Sequence, residues 1–423
     1  MKNKISAALA FTLCFAMLAF VNEPKKKIKA LPSDVIISWN LIAGEIGSAK
    51  EHQPFMALRT QTIMHLAMHD ALNAINPVYE TYALKVRNRN ADPIGAAATA
   101  AYTVLITAYP RKKELLDAKL GEWLRKIKYA GGKEESVVIG QKAALKVMEL
   151  RKDDGAANGD WMAGLKPSTG PGIYQLVPPL NFVYAPHWKT MQTFSLRRYD
   201  QFRCPPPPVL NSNTYANDFN EVRSFGGKIS SVRSKDQTLY AKYWYEFSEI
   251  GWNRITRVVT EDKKLDLYTA ARLFALVNMA LIDSYTAGWD SKFHYNFWRP
   301  YTAIHFADTD DNAQTIPDSN WESLEITPPV HDYPSTHSAL GNAGAAVLAG
   351  ILGDNTAFTM TSPTGDSSAP VRSFNSFTQA ANENADSRVM AGLHFRFSCS
   401  AGQELGNKVG QWTVQNYLRP VRE

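Results

Sequence analysis

The feature that most restricts the fold of this chain is the spacing of its apolar residues, which follows the period of an α-helix. In FMALRTQTIMHLAMHDALNAI, apolar residues recur every three or four positions until Asn76-Pro77 ends the pattern. The predicted helices cover residues 38–75, 95–109, 111–128, 134–152, 236–258, 264–288, 337–353 and 400–417. No stretch alternates apolar and polar residues as a strand does, and no repeat of fixed period occurs. The predicted fold class is all-α.

Prolines and glycines interrupt the helical pattern between Asp153 and Leu210, for example in PSTGPG and CPPPPVL. The large aromatic residues of this segment favour burial; they are Trp161, Tyr174, Phe182, Tyr184 and Trp188. Long irregular segments inside compact proteins often carry function. We therefore predict an N-terminal helical half at residues 31–235, which includes the Pro-rich irregular segment 153–210. A helical bundle with the candidate catalytic residues follows at residues 236–423.

The charge of the chain is concentrated at its N-terminus. Residues 1–30 carry six lysines and one glutamate, so most of the net charge of +6 lies there and the remaining body is nearly neutral. This distribution argues against a nucleic-acid partner. MKNK followed by ISAALAFTLCFAMLAFV is typical of a secretory signal peptide, although the run also suits an uncleaved anchor. We expect a secreted or periplasmic protein without further membrane contact; its oligomeric state stays open, a homo-oligomer included.

A first short motif, KFHYNFWRP, contains two cations among aromatic residues. Lys292 and Arg299 lie seven positions apart, so in a helix that ends before Pro300 their side chains would share one face. The aromatic neighbours indicate that both cations are buried. Because a buried charge requires a partner, the motif predicts a bound anion.

Two further motifs supply more groups of the same kind. In VHDYPSTHSALGNAGAAVLAGIL, Ser335 suits the N-cap of a helix whose free amides favour an anion, although an ordinary cap beside an incidental His337 explains the motif equally simply. In SRVMAGLHFRF, Arg388 precedes His394 by six positions. Three cations, a helix N-terminus and two histidines together predict a site for one tetrahedral oxyanion.

The order K-x6-R-P, then P-S-x-H, then S-R-x5-H resembles the signature of the vanadium haloperoxidase and type 2 phosphatidic acid phosphatase superfamily. The resemblance covers residues 240–417 best, and HWKTMQTFSL and DQFRCPPPP resemble its soluble, secreted haloperoxidase branch. It implies a helical bundle, vanadate as cofactor, and hydrogen peroxide and halide as substrates. A second interpretation is a soluble acid phosphatase that hydrolyses phosphate monoesters through a phosphohistidine, with phosphate in the same site and no cofactor. A third is a non-catalytic oxyanion-binding protein.

The resemblance also implies a role for each matched residue. His394 would bind the vanadium of vanadate, or attack phosphorus in a phosphatase, and His337 would be the acid–base residue. Lys292 would also polarise the bound peroxide, and Trp289 with Val330 would form a halide pocket. The residues implied to bind the vanadate or phosphate are Lys292, Arg299, Ser335, Thr336, Arg388 and His394.

The sequence departs from the superfamily pattern at two positions. Thr336 stands where the superfamily usually has glycine, and Ser398 stands where an acidic residue often follows the metal-binding histidine. A carboxylate that orients His394 must then come from elsewhere. The candidates are Asp283, Asp290 and Asp332.

Two other groups of residues suggest sites of their own. His65 and His69, four apart on one helix face with Asp70 beside His69, have a spacing that suits a divalent metal, but the glutamate of an HExxH motif is lacking, which favours core histidines or histidines behind the site. Cys204 and Cys399 follow the leader and would form a single disulfide if they met in an oxidising compartment.

Overall fold

Helices dominate the part of the chain that the structure, a computed structural model, describes: residues 31–48, 53–164 and 170–421. The predicted signal peptide or anchor, residues 1–30, lies outside these residues. Among the described residues, no helix is long and apolar enough to span a bilayer. The predicted all-α class is confirmed, since strands account for only two short antiparallel pairs in this part of the chain.

The first half of the described chain forms five α-helices. They are α1 Asp34–Gly47, α2 Pro54–Ile75, α3 Pro93–Ala108, α4 Lys113–Arg125 and α5 Ala130–Leu150. The predicted run 38–75 is two helices, and α2 begins with Pro54 at its first position, where a missing amide hydrogen costs nothing. Helix α2 is buried over most of its length and packs against α3, α5 and the second half of the chain.

The second half contains eight further α-helices among the described residues. They are α6 Asn213–Phe225, α7 Lys235–Tyr243, α8 Ser248–Asp262, α9 Leu267–Tyr295, α10 Pro300–His305, α11 Thr336–Leu352, α12 Phe377–Met390 and α13 Arg396–Asn416. The predicted helix 236–258 is divided into α7 and α8. The 29-residue helix α9 begins at the N-cap Asp266, whose carboxylate accepts hydrogen bonds from the amides of Tyr268 and Thr269. The domain boundary at residue 235 stays a prediction.

Four short strands, which the sequence did not indicate, complete the described elements. They are β1 Met162–Ala163, β2 Val183–Tyr184, β3 Phe358–Thr361 and β4 Val371–Phe374. β1 pairs with β2 and β3 with β4, both antiparallel. Strands of two to four residues are too short to show a periodic pattern, which is why they escape sequence analysis.

Two buried aspartates of α9 hold the Pro-rich segment in place. The carboxylate of Asp283 accepts hydrogen bonds from the amides of Phe194 (2.7 Å), Ser195 (2.6 Å) and Leu196 (3.0 Å). Asp290 forms a two-point ion pair with Arg203, at 2.6 and 2.7 Å. The described part of the segment that contains these residues is thus part of the folded body, as its aromatic residues predicted.

Glycines allow helices α11 and α13 to approach each other closely. A Cβ at Gly402 would lie 2.3 Å from the carbonyl oxygen of Ser335, and one at Gly406 would lie 2.0 Å from that of Ala339. Such distances are far below van der Waals contact, so only glycine fits. This packing places the start of α13 beside the N-terminus of α11, where the amide of Ser335 donates to the carbonyl of Ser398 (2.8 Å).

Candidate active site

Lys292 lies in the last turn of α9 with its side chain fully buried. Its Nζ donates hydrogen bonds to the backbone carbonyls of His331 (2.7 Å) and Asp332 (2.9 Å). Burial, and then the nearby charge of Arg299, holds the pKa of this amine well below its usual value. Main-chain oxygens therefore orient the amine, and a neighbouring anion would favour its charged form.

The prediction that Lys292 and Arg299 share a face of one helix is wrong. Helix α9 ends at Tyr295, because Asn296 adopts a left-handed conformation (φ 51°) that asparagine tolerates better than most residues. Arg299 is extended and precedes α10, which Pro300 begins.

The loop between α10 and α11 nevertheless brings the guanidinium of Arg299 to Lys292. Nε of Arg299 donates to the carbonyl of Val330 (2.7 Å), next to the carbonyls that bind Lys292, and Nη1 donates to the carbonyl of Leu393 (2.8 Å). The same Nη1 lies 3.0 Å from Nε2 of His394. Arg299 thus contacts His394 and binds the same loop as Lys292.

Asp332 is the carboxylate that orients His394. Its Oδ1 lies 2.8 Å from Nδ1 of His394, an ionic contact whose angle is not that of a hydrogen bond, and Oδ2 accepts a hydrogen bond from the hydroxyl of Ser398. Of the other two candidates, Asp283 binds main-chain amides and Asp290 pairs with Arg203, so neither contacts His394. Ser398 therefore acts on the histidine through Asp332.

Protonation in this pair follows from burial. Burial raises the pKa of Asp332 to about 7, and burial with the neighbouring cations Arg299 and Lys292 holds the pKa of His394 well below its usual value. A neutral imidazole carries one proton, and Nδ1 beside the carboxylate is where it is stabilised. Nε2 then presents a lone pair toward the cations.

Ser335 is the N-cap of α11, as predicted, and its hydroxyl oxygen is an acceptor in two contacts. It accepts a hydrogen bond from the amide of Ser338 (3.4 Å) and lies 2.9 Å from the Ser338 hydroxyl. Within the described chain, the amides of Thr336 and His337 form no hydrogen bond, as expected for the first positions of a helix. These two amides and the hydroxyl hydrogen of Ser335, whose oxygen only accepts, are therefore donors available to a ligand at this helix end.

His337 is half-buried and its Nε2 lies 3.0 Å from the carbonyl oxygen of Glu246. A carbonyl only accepts hydrogen bonds, so Nε2 carries the proton and Nδ1 the lone pair. Burial, and then the charge of Arg388, holds the pKa of His337 well below its usual value. The ring is thus a neutral base at ordinary pH.

Arg388 of α12 is fully buried and incompletely paired. Its Nη1 donates to the carbonyl of Trp244 (3.3 Å), whereas Nε has no hydrogen-bond partner among the described residues. Burial lowers the pKa of the guanidinium to about 10. An orphaned buried donor on a cation is costly, which indicates that an anion belongs here.

These groups adjoin a cavity of about 540 Å³. Arg299, Thr336, His337 and His394 line one part of it. The predicted halide-pocket residues Trp289 and Val330 also line it, and Nε1 of Trp289 donates to the carbonyl of Tyr184 (3.2 Å). The predicted oxyanion ligands that are fully buried and do not line it are Lys292, Ser335 and Arg388.

Sequence analysis missed the opposite part of the cavity. Its lining includes Gly44 of α1, Phe55 of α2, Glu249 of α8 and Tyr285 of α9. No local pattern marks these residues. Even Glu249 gives no signal, because a carboxylate near a helix N-terminus is expected to be a solvated charge that the helix dipole stabilises. Only the packing of four helices brings them together.

The two other candidate sites are absent. His65 and His69 are fully buried and bonded to Asn40 and Asn73, and no group of residues in the described chain could hold a metal ion. His65 stacks on a phenylalanine of α9, so these histidines belong to the core. Cys204 and Cys399 are both buried and free.

The donor set fits a tetrahedral oxyanion such as vanadate or phosphate. Among the described residues, the three buried cations Lys292, Arg299 and Arg388 have one ion-pair contact, 3.9 Å between Arg299 and Asp332, which leaves positive charge unpaired. The orphaned Nε of Arg388 and the free amides of Thr336 and His337 are donors without acceptors. An XO4 anion would supply both the charge and the acceptors.

Known proteins resemble this chain over nearly its whole length. Residues 272–423 match the family model described as the VCPO second helical-bundle domain. In an alignment of 505 positions, the chain is 25% identical to the vanadium chloroperoxidase of Curvularia inaequalis. The match covers 91% of this chain and 81% of that protein.

Solved structures share the fold. The crystal structure of the first bacterial vanadium-dependent iodoperoxidase superposes with a TM-score of 0.81 at 24% identity, over 94% of this chain and all of that chain. The holo-type bacterial vanadium-dependent chloroperoxidase gives a TM-score of 0.71 at 17% identity, over 91% of this chain and 98% of that chain. Together with the family model and the match to the chloroperoxidase, these structures confirm the predicted resemblance to the vanadium haloperoxidase superfamily.

Proposed function

We propose that this chain is a vanadium-dependent haloperoxidase, which oxidises halide with hydrogen peroxide at a vanadate bound by His394. The observation that carries the proposal is the position of Nε2 of His394. It presents its lone pair among buried cations, while Asp332 holds the other ring nitrogen. The names of the chloroperoxidase and iodoperoxidase relatives support oxidation over hydrolysis.

The roles of the residues follow from their contacts. Bound vanadate would supply a Lewis-acidic centre that activates hydrogen peroxide toward halide. Lys292, Arg299 and Arg388 neutralise anionic oxygens, and the amides of Thr336 and His337 add hydrogen bonds. Nδ1 of His337 can accept the proton that peroxide releases on binding. Trp289 and Val330 form the part of the cavity wall where we place the halide.

Acid phosphatase activity is the second candidate, because the same histidine is set up as a nucleophile. A neutral imidazole whose Nδ1 is held by a carboxylate directs the Nε2 lone pair at the anion site, as attack on phosphorus requires. Attack would break the P–O bond and form a phosphohistidine, and His337 would pass a proton from solvent water to the leaving alcohol. Water would then hydrolyse the phosphohistidine and release phosphate.

A paired assay separates these functions. The protein without residues 1–30 is treated with orthovanadate and assayed for peroxide-dependent iodide and bromide oxidation, and in parallel for p-nitrophenyl phosphate hydrolysis without vanadate. Halide oxidation that requires vanadate supports the haloperoxidase. Hydrolysis that vanadate inhibits replaces it with the phosphatase. Phosphate binding without either activity identifies a non-catalytic oxyanion-binding protein.

Export to the periplasm or the medium is part of the proposal. It rests on the basic and apolar pattern of residues 1–30. Cell fractionation of the full chain tests it: the protein is expected outside the cytoplasm, and recovery in the cytosolic fraction contradicts export.

A further inference from the structure

The cavity beside the candidate oxyanion site is larger than small inorganic substrates require. Its volume of about 540 Å³ falls in the range of sites that enclose organic ligands, whereas peroxide and halide have one or two heavy atoms. It extends from His394 to helices α1 and α2. At Gly44, an added Cβ would meet no atom within 4 Å, so this part of the wall faces open space.

One wall of the cavity is a cluster of aromatic rings. Phe55 lies at its centre, with ring centroids 4.1 Å from Tyr285, 4.7 Å from Trp289 and 5.2 Å from Tyr184. All four residues line the cavity. Flat apolar faces of this kind favour stacking and edge contacts with another aromatic ring.

Glu249 is the one carboxylate that lines this cavity in the described chain. Its side chain is buried, and Oε2 accepts a hydrogen bond of 2.6 Å from the hydroxyl of Tyr285. It forms no ion pair among the described residues, whereas Glu246, three residues earlier, pairs with Arg254 at 2.7 Å. Glu246 is thus the ion-paired carboxylate of this helix turn, and Glu249 has no such structural role.

A buried carboxyl without a cation is costly to keep in an apolar wall. Burial raises the pKa of Glu249 to about 7, so both protonation states occur near neutral pH. A ligand hydroxyl compensates the cost in either state, because it donates to a carboxylate and also accepts from a carboxylic acid. A carboxyl beside an aromatic wall therefore matches a phenol.

We propose that the cavity binds a phenolic substrate, whose ring lies on the cluster around Phe55 and whose hydroxyl pairs with Glu249. Glu249 is then a specificity-determining residue, and Tyr285 positions it. The inference rests on the proposed haloperoxidase function. The overall reaction takes one ring C–H, halide, peroxide and a proton to one C–X bond and two waters. Halide is oxidised by two electrons and peroxide is reduced.

Binding can be tested without vanadate. Calorimetric titration of the vanadate-free protein compares phenol with anisole, which has the same ring but cannot donate a hydrogen bond. We expect the wild type to bind phenol at least 10-fold more tightly, the effect of one hydrogen bond to a charged group. Equal affinities for the two rings, or no binding of either, overturn the inference even if halide oxidation succeeds.

Variants then assign the effect to Glu249. Glu249→Leu combined with Tyr285→Phe replaces the hydrogen-bonded pair by apolar groups and leaves no orphaned hydroxyl. We expect the phenol-to-anisole affinity ratio to fall to about 1, and the ratio of their kcat/KM for bromination to fall 10- to 100-fold. Comparing ratios removes the different intrinsic reactivity of the two rings.

The matched control is Glu261→Leu, which removes an exposed carboxylate from the same helix α8. It should keep the wild-type ratio. A double variant with an unchanged ratio, or a control whose ratio falls equally, contradicts the role of Glu249. The proposed function fails separately, if the wild type with vanadate oxidises no iodide. If the double variant does not fold, the wild-type comparison of phenol with anisole still decides the question.

Discussion

At the residue scale, the carboxylate that holds His394 comes from an unexpected part of the sequence. Asp332 precedes α11, while its second oxygen is bound by Ser398, which lies four positions after the histidine. The serine therefore supports the orienting carboxylate instead of replacing it. Asp332 is therefore placed to act as the orienting carboxylate that the departure at Ser398 requires.

Asp332→Asn tests this arrangement. The amide keeps the size of the side chain but removes its negative charge, so it stabilises the proton on Nδ1 less and holds the ring orientation less firmly. We expect orthovanadate affinity, measured by calorimetry, to fall about 10- to 100-fold. Asp290→Asn, a buried carboxylate of α9 that pairs with Arg203 and not with the histidine, is the control. Equal losses in both variants would show a general effect of buried charge.

The two histidines are expected to respond differently to substitution. His394→Ala removes the ring nitrogen that faces the cations, so orthovanadate binding should be abolished. His337→Ala removes a base whose Nε2 is already bonded to the carbonyl of Glu246, so binding should persist while turnover slows about 10²- to 10⁴-fold. Titration calorimetry and vanadate-dependent iodide oxidation measure the two quantities. Retained binding in both variants contradicts the roles proposed here.

At the scale of elements, most helix positions were predictable because the helical period is a local property, but α10 and α12 match no predicted helix. The predicted helix 264–288 became Leu267–Tyr295, and 400–417 became Arg396–Asn416. The end of α9 was not predictable, because it depends on a left-handed Asn296, which nothing in KFHYNFWRP requires. Proline can end one helix or begin the next, and Pro300 begins α10.

The residues of the candidate site also differ in whether local sequence reveals them. Its cations and histidines lie in short motifs that the sequence displays. Asp332 was one of three candidates, because orientation by a carboxylate depends on tertiary contacts. Glu249 and Tyr285 lie 36 positions apart on different helices and were missed, since a cavity has no signature in a single element.

The close contact between α11 and α13 predicts that a larger residue at Gly406 destabilises the protein. Gly406→Ala places a Cβ 2.0 Å from the carbonyl oxygen of Ala339, so the two helices must separate and move Ser335 away from Ser398. We expect a loss of about 1–3 kcal/mol in the free energy of unfolding, measured by urea denaturation.

Gly350→Ala is the matched control for this contact. Gly350 lies on the exposed side of α11, where an added Cβ would meet Val414 at an ordinary 3.5 Å. Alanine there should be neutral or stabilise the protein by about 0.5–1 kcal/mol, since glycine is unfavourable within helices. Similar destabilisation in both variants would mean that close packing is not the cause.

At the scale of the whole molecule, the cavity is built from both halves of the chain. Gly44 and Phe55 come from the first two helices, whereas the oxyanion donors come from the region between α9 and α13. The N-terminal helices therefore supply the wall where we place the organic substrate, and the C-terminal helices supply the chemistry. The sequence predicted the second part alone.

The same burial of ionisable groups makes stability depend on pH. Burial lowers the pKa of His65 and of His331 to about 3, so both rings are neutral in the folded protein, whereas the unfolded chain binds protons below about pH 6.5. Each histidine's contribution is complete above that pH and is lost as the pH falls toward 3. Burial raises the pKa of Glu249 and Asp332 to about 7, so these two groups have the opposite effect: they increase the free energy of unfolding as the pH falls from about 7 to 4.

His65→Gln isolates one of these contributions, because His65 lies in the core between α2 and α9, away from the candidate site. As the pH falls from about 6 to about 4.5, the free energy of unfolding should decrease less steeply in the variant than in the wild type. The difference between the two slopes should be about 1.4 kcal/mol per pH unit. Urea denaturation at several pH values measures both slopes. His294→Gln is the control, because water solvates this exposed ring in both states. If His65→Gln keeps the wild-type slope, the buried imidazole is not a source of acid sensitivity.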